Sequence, residues 1–178
     1  MLEINKQKTL RIVAEKNAAR LSPLGYETFD QAFRELNNQK DFDAYVAHAF
    51  SLETISEELK DSRNEFFVAF QGDEPVGYFK LHAGTAPECV SLRPALELAR
   101  LYAFKSQWGK GVGAAMMKEA LGRAQEKGFA AVWLSSWKKN HRGNAFYKNW
   151  GFDKVGEKTF TIGRDVQEDF ILSRIFSF

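Results

Sequence analysis

The stretch Gln107-Trp108-Gly109-Lys110-Gly111-Val112-Gly113 sets glycine at alternate positions, between an apolar segment and one of helical periodicity. Glycine lets the backbone turn tightly and bring its N–H groups against a ligand with no Cβ in the way. A helix starting here offers unpaired N–H groups and about half a positive charge, which suits a phosphate or pyrophosphate. Lys110 adds a full charge. The same spacing also fits a plain tight turn before an ordinary helix. It is neither a G-x-G-x-x-G dinucleotide fingerprint nor a P-loop, so it argues for a different phosphate-bearing ligand. Other reactive side chains are sparse. His48, His82 and His141 lie far apart without metal-ligand spacing, so no metal is expected. Cys89 sits in a loop-like segment, and no G-x-S-x-G or cysteine signature supports a covalent acyl-enzyme.

The elements that must position this loop belong to one α/β domain spanning residues 1–178. Short apolar runs predict strands at Leu10–Ala14, Glu65–Gln71, Val76–His82, Leu96–Phe104, Ala130–Ser136, Asp153–Thr161 and Asp169–Phe176. Helical spacing appears at Phe29–Leu36, Phe42–Phe50, after Ser51, at Gly111–Lys127 and at Asn140–Trp150. With 44% hydrophobic residues, 27% charged and sixteen phenylalanines, the 178-residue chain carries enough apolar surface for a sizeable core. Lys+Arg 25 against Asp+Glu 23 leave +2, so no electrostatic grip on nucleic acid or anionic lipid is implied. One cysteine excludes an internal disulfide framework and suits a reducing compartment. The N-terminal MLEINKQKTLRIV has no apolar run of signal-peptide length, and no stretch reaches the roughly 18 apolar residues of a membrane span. The expectation is a soluble, cytoplasmic protein.

The later motif Asn140-His141-Arg142-Gly143-Asn144-Ala145-Phe146-Tyr147, succeeded by Gly151-Phe152, completes a likeness. Together with the glycine loop it resembles the GNAT superfamily of acetyl-CoA-dependent N-acetyltransferases. That family's pyrophosphate loop reads Gln/Arg-x-x-Gly-x-Gly/Ala. Here Trp108 stands where Gln or Arg is preferred, with Gln107 one position early, and Gly143 replaces an alanine of the later motif. ELARLYAFKSQWGKGVG, VWLSSWKKN and the tail TFTIGRDVQEDF look like the bacterial spermidine/spermine acetyltransferase branch. The resemblance covers Glu97 to Leu172, less than half of the chain.

The resemblance implies a GNAT fold: a mixed, mainly antiparallel sheet of about seven strands, about four helices, and two central strands that splay around the pantetheine arm. It implies acetyl-CoA as co-substrate and a small-molecule amine, polyamines first, as acceptor. Backbone groups at Leu101, Tyr102 and Ala103 would hold the pantetheine and the thioester carbonyl. Trp108, Gly109, Lys110, Gly111, Val112 and Gly113 would cradle the pyrophosphate, Asn140 would bind the arm, and Tyr147 would protonate the departing thiolate. An alkylamine near pKa 10 is almost all ammonium at neutral pH, so a base is also required. Glu97 is the leading carboxylate; a strand residue paired to a lysine is its other reading. Glu53, Glu57 and Glu58 read as a solvated helix face. Trp133 and Trp137 read as core or pocket wall, and Phe160 and Phe170 as sheet packing or acceptor lining. A protein or peptide amine acceptor, and a CoA-binding regulatory module without turnover, stay open as alternatives. By analogy, the aromatic C-terminus (Phe170, Phe176, Phe178) could supply a homodimer interface.

Overall fold

Two-residue alternation in the strand segments sorts the apolar side chains onto opposite faces of one sheet. Phe67, Ala69, Phe79, Leu81, Leu96 and Leu98 point to one face, and Phe66, Val68, Phe70 and Tyr78 to the other. In the computed structural model, which describes residues 9–177, the first half runs β1 (Leu10–Glu15), α1 (Ala18–Phe33), α2 (Gln39–Ala49), α3 (Leu52–Lys60), β2 (Asn64–Gln71) and β3 (Glu74–His82). The second half runs β4 (Ala95–Ala103), α4 (Val112–Glu126), β5 (Ala131–Trp137), α5 (His141–Asn149), β6 (Asp153–Ile162) and β7 (Asp165–Ile175). The strand order is β1-β2-β3-β4-β5-β7-β6, and every neighbouring pair is antiparallel except β4–β5. This is the expected mixed, mainly antiparallel sheet of seven strands. Five helices flank it. The reading of residues 1–8 and the role suggested for Phe178 lie outside the described residues.

Helix α4 covers the first face with Val112, Met116, Met117, Ala120, Leu121 and Ala124, all buried. It ends where expected, at Gly128 with φ +77°, which closes the last turn. Helices α1, α2 and α3 cover the second face through residues such as Leu21, Phe29, Phe42, Val46 and Ile55. No helix among the described residues is long and apolar enough to cross a membrane. Phe176 is spent in the core beneath α4 and so offers no dimer surface.

Two boundaries differ from expectation by four residues or more. The helix expected at Phe29–Leu36 begins at Ala18, and Arg34–Leu36 is a separate 3₁₀ turn. Pro23 and Gly25 disguise its first half, because each opposes a helix interior. The fold offsets them with a local cap and with contacts to Phe50. The Asn17 side chain accepts from the Ala19 N–H at 3.0 Å, Ser22 Oγ donates to the Phe50 carbonyl at 2.6 Å, and a Cβ on Gly25 would lie 2.6 Å from the Phe50 ring. Strand β7 begins at Asp165 rather than Asp169, in a tight hairpin with β6.

The feature that matters for function lies at the sheet's centre. Strands β4 and β5 pair only at Ala95↔Ala131, Leu96↔Val132 and Glu97↔Trp133, then diverge. The pairing of β3 with β4 slips at the same place, from Leu81↔Leu98 to Lys80↔Arg100, leaving Ala99 as an extra residue. A bulge of this kind bends its strand and re-aims the side chains on its far side. Past Ala99, Leu101 and Ala103 pack toward α4, while Tyr102 packs toward α1.

Candidate active site

The splay leaves the β4 backbone beyond Glu97 without a strand partner on the β5 side, so its polar groups on that edge are open to a ligand. The chain then passes through a 3₁₀ turn (Lys105–Gln107) and reverses through Gly109 (φ +73°) and Gly111 (φ +86°) into α4. Both glycines occupy the left-handed region that other residues adopt only at a cost. A Cβ added at either would meet no heavy atom of the described residues within 4 Å, so the loop borders open space. Gly111 caps α4 without a side chain, and the first intrahelical bond is Ala115 N–H to the Gly111 carbonyl at 2.9 Å. The N–H groups of Val112, Gly113 and Ala114 therefore lack a helical acceptor and suit an anion.

Loop and splay together enclose a cleft of about 590 Å³. Leu101, Tyr102 and Ala103 form its β4 wall, and Trp108, Gly109, Gly111 and Gly113 its loop end. Asn140 and Tyr147 face them from the α5 side. Lys110 is exposed and does not line the cleft, and the Val112 side chain is buried in the core, which leaves only its backbone N–H to the cradle. Trp108 Nε1 donates to the Ala103 carbonyl at 3.0 Å, tying the loop to the end of β4. The Arg142 guanidinium lies 3.9 Å above the same indole. Sequence reasoning misses Arg142, although a cation inside the Asn140–Tyr147 motif, beside a phosphate cradle, is a signal that could have found it.

Asn140 caps α5, its Oδ1 accepting from the Gly143 N–H at 3.0 Å. A Cβ at residue 143 would lie 2.3 Å from Asn140 Nδ2, so glycine in place of alanine accompanies this cap rotamer. One turn on, Tyr147 sits edge-on to Phe146 and Phe152, with ring centroids 5.6 and 6.0 Å away. Its Oη has no hydrogen-bond partner among the described residues, and burial pushes the phenol up to about 12. Such a group keeps its proton at any physiological pH and can donate it.

A second cavity, of about 400 Å³, opens on the α1–α3 face of the sheet and shares Phe33, Tyr102, Asn140 and Tyr147 with the first. Glu97 lines it, half-buried and without an ion pair or hydrogen bond among the described residues. Burial raises its pKa, opposed by the charges of Lys158, His82, Lys80 and Arg100. The salt-bridged reading of Glu97 therefore finds no partner. His82 Nδ1 lies 2.7 Å from Asn64 Oδ1, whose Nδ2 donates to the Glu58 carbonyl at 2.8 Å. Trp137 and Phe160 line this cavity, whereas Trp133 is core and Phe170 lies outside it. Glu53 and Glu57 are the solvated face expected, but Glu58 is not. It is drawn inward by Arg100 and Lys80, which sequence spacing alone could not place beside it. No group of three or more His, Cys, Asp or Glu side chains among the described residues is placed to hold a metal.

Residues 25–152, well over half of the chain, match the model of the acetyltransferase (GNAT) family, and the chain belongs to that family. It is 26% identical over 162 residues to an uncharacterised N-acetyltransferase of Lactobacillus delbrueckii subsp. lactis, covering 91% of this chain and 94% of that one. An uncharacterised N-acetyltransferase of Mycobacterium tuberculosis is 28% identical over 158 residues, covering 89% and 97%. Among solved structures, an N-acetyltransferase of Thermoplasma acidophilum in complex with coenzyme A superposes with a TM-score of 0.76 at 19% identity, over 94% of this chain and 99% of that chain. At that identity the likeness establishes the fold.

Proposed function

We propose that this chain transfers an acetyl group from acetyl-CoA to a primary amine by direct attack within a ternary complex. The observation that carries the reading is that the two cavities share Tyr147, together with Phe33, Tyr102 and Asn140. A donor arm laid in the splay and an amine in the second cavity would face each other across that phenol. The glycine loop suits a pyrophosphate, since the first N–H groups of α4 beside it have no helical acceptor. The coenzyme A bound by the Thermoplasma relative supports the same choice of donor.

Acetyl-CoA supplies an activated thioester. Glu97, directly or through water, takes the proton that must leave the ammonium before its lone pair can attack. As the N–C bond forms and the C–S bond breaks, the electron pair leaves with sulfur and Tyr147 gives its Oη proton to it. The second amine proton restores the phenol through solvent, so one proton is released per turnover. Backbone N–H groups on the free edge of β4 are the candidates to stabilise the charge that develops on the thioester oxygen.

The acceptor is a small amine rather than a polypeptide. The β6–β7 hairpin narrows the second cavity by packing against α2 and the turn before it, with Gln167 Nε2 donating to Asn37 Oδ1 at 2.6 Å and Gly163 packed on Asp41. Polyamines are the first acceptors to try on the sequence likeness, and the cytoplasm the compartment in which to look. Thiol release from acetyl-CoA, scanned across spermidine, spermine, aminoglycosides, amino acids and a short peptide, tests the reading. Turnover with any small amine supports it. Failure to bind acetyl-CoA overturns it, and binding with silence across the panel would leave a CoA-binding module.

A further inference from the structure

The second cavity is not the acidic pocket that a polycation calls for, because its charges are sorted into two poles. At one pole Arg100 donates to both carboxylate oxygens of Glu58, each at 2.8 Å. Lys80 Nζ lies 3.2 Å from the oxygen Oε1 that Arg100 already holds. Two cations thus share one carboxylate, well inside the protein, with side-chain exposures of 10% for Lys80, 16% for Arg100 and 20% for Glu58. Lys80 has no other hydrogen-bond acceptor among the described residues, and burial together with Arg100 depresses its pKa. A buried surplus cation is costly until an anion reaches it.

The other pole carries the opposite surplus. Glu97 and Asp169 both line the cavity without an ion pair or hydrogen bond among the described residues. Lys158, the cross-strand partner of Asp169, acts on both, and Glu97 also feels His82 and, across the cavity, Lys80 and Arg100. The strand register sets the separation. Lys80 pairs with Arg100, and His82, two residues further along β3, pairs with Glu97. At about 3.4 Å per residue the poles lie about 7 Å apart along the strand.

We propose that the acceptor is an amine that also carries a carboxylate, of amino-acid type, with its acid group at Lys80 and Arg100 and its amine toward Glu97. The assignment rests on the acetyl-transfer reading for the identity of the amine, but not for the binding of the acid. A polyamine would instead press an ammonium against the cationic pole.

The test is a set of calorimetric titrations of the CoA-loaded protein with free L-amino acids, with the carboxamides of the same amino acids, and with spermidine. Carboxamides keep the amine and the shape and remove only the anionic charge. At least one free acid is expected to bind about tenfold or more tighter than its own carboxamide and tighter than spermidine. Lys80→Met, which removes a surplus buried charge and keeps an unbranched side chain, should erase that preference while the Kd for CoA stays within about twofold. Carboxamides or spermidine binding as tightly as the acids would overturn the proposal. So would no measurable acid binding, or a Lys80→Met variant that still prefers acids. The wild-type comparison needs no variant to fold. Acid-selective binding with no thiol release from any amine would sink acetyl transfer and leave this inference standing; turnover confined to spermidine would do the reverse.

Discussion

Replacing Tyr147 by phenylalanine isolates one proton. The ring contacts with Phe146 and Phe152 are kept, and Oη has no hydrogen-bond partner among the described residues to lose. The change in stability should therefore stay within about 0.5 kcal/mol, which for a chain of this size is about 2 °C in Tm at most. Acetyl-CoA affinity should change by no more than about threefold, since the phenol is at best one neutral hydrogen bond to the bound donor. The chemical step is different. Losing a positioned general acid costs about 10²–10⁴ in rate, or roughly 3–5 kcal/mol in the barrier. Single-turnover thiol release, with calorimetry of acetyl-CoA binding on the same preparations, separates these quantities. Because burial holds the phenol at about 12, the acid role produces no decline in kcat between about pH 7 and 10. A kcat within twofold of wild type would refute the assignment. So would a fall in kcat matched by an equal loss of affinity, or a basic limb below pH 10 that disappears in the variant.

Three further changes bear on other parts of the site. Gly111→Val places a side chain in the open cradle at φ +86°; about 1–2 kcal/mol of backbone strain, roughly 2–8 °C in Tm, should accompany a loss of acetyl-CoA affinity of about 100-fold or more by calorimetry, and intact affinity would remove the loop from the donor site. Glu97→Gln should lower kcat/KM about 100-fold or more and abolish its acid limb, which in the wild type should lie above the ordinary carboxylate value of about 4.3 because burial raises this group; an unchanged limb would assign the base elsewhere. Burial also raises Asp169, so the folded state binds its proton more tightly than the unfolded chain, and the stability this group contributes is present below its ordinary pKa and lost as pH rises through the raised one. Asp169→Asn should accordingly raise Tm by a few degrees at pH 7 and give no gain below about pH 3.9, whereas a lower Tm at pH 7 would show that the ionised carboxylate is satisfied in the fold.

Local chemistry is legible in the sequence and tertiary charge is not. The alternating glycines mark the cradle because a positive φ is a property of single residues, and two of the three adopt it. The spacing of Leu96, Leu98, Leu101 and Ala103 carries the bulge in plain form, two residues, then three, then two, yet it reads as one uniform strand until the register with β3 is known. Pro23 and Gly25 hide half of α1 because their compensating contacts come from Phe50, far along the chain. Glu58 misleads for the same reason. On its own helix it has the spacing of a solvated residue, and only the bulge brings Arg100, 42 positions away, to its carboxylate.

That bulge couples donor and acceptor geometry in one device. Without the extra residue at Ala99, the alternation set by Leu96 and Leu98 would put Arg100 and Tyr102 on the α4 face, with the core. With it, both turn to the α1–α3 face beside Glu97. Strand β4 thereby presents Glu97 and Arg100 to the same cavity. The register slip begins one residue past the last β4–β5 pair, so the chain diverges from β5 there and frees the edge along which a thioester arm can lie. On the proposed reading, acceptor recognition and donor binding would both follow from one inserted residue. Any sequence change that restored regular pairing between Leu98 and Arg100 should lose both together, a coupled defect that independent sites would not show.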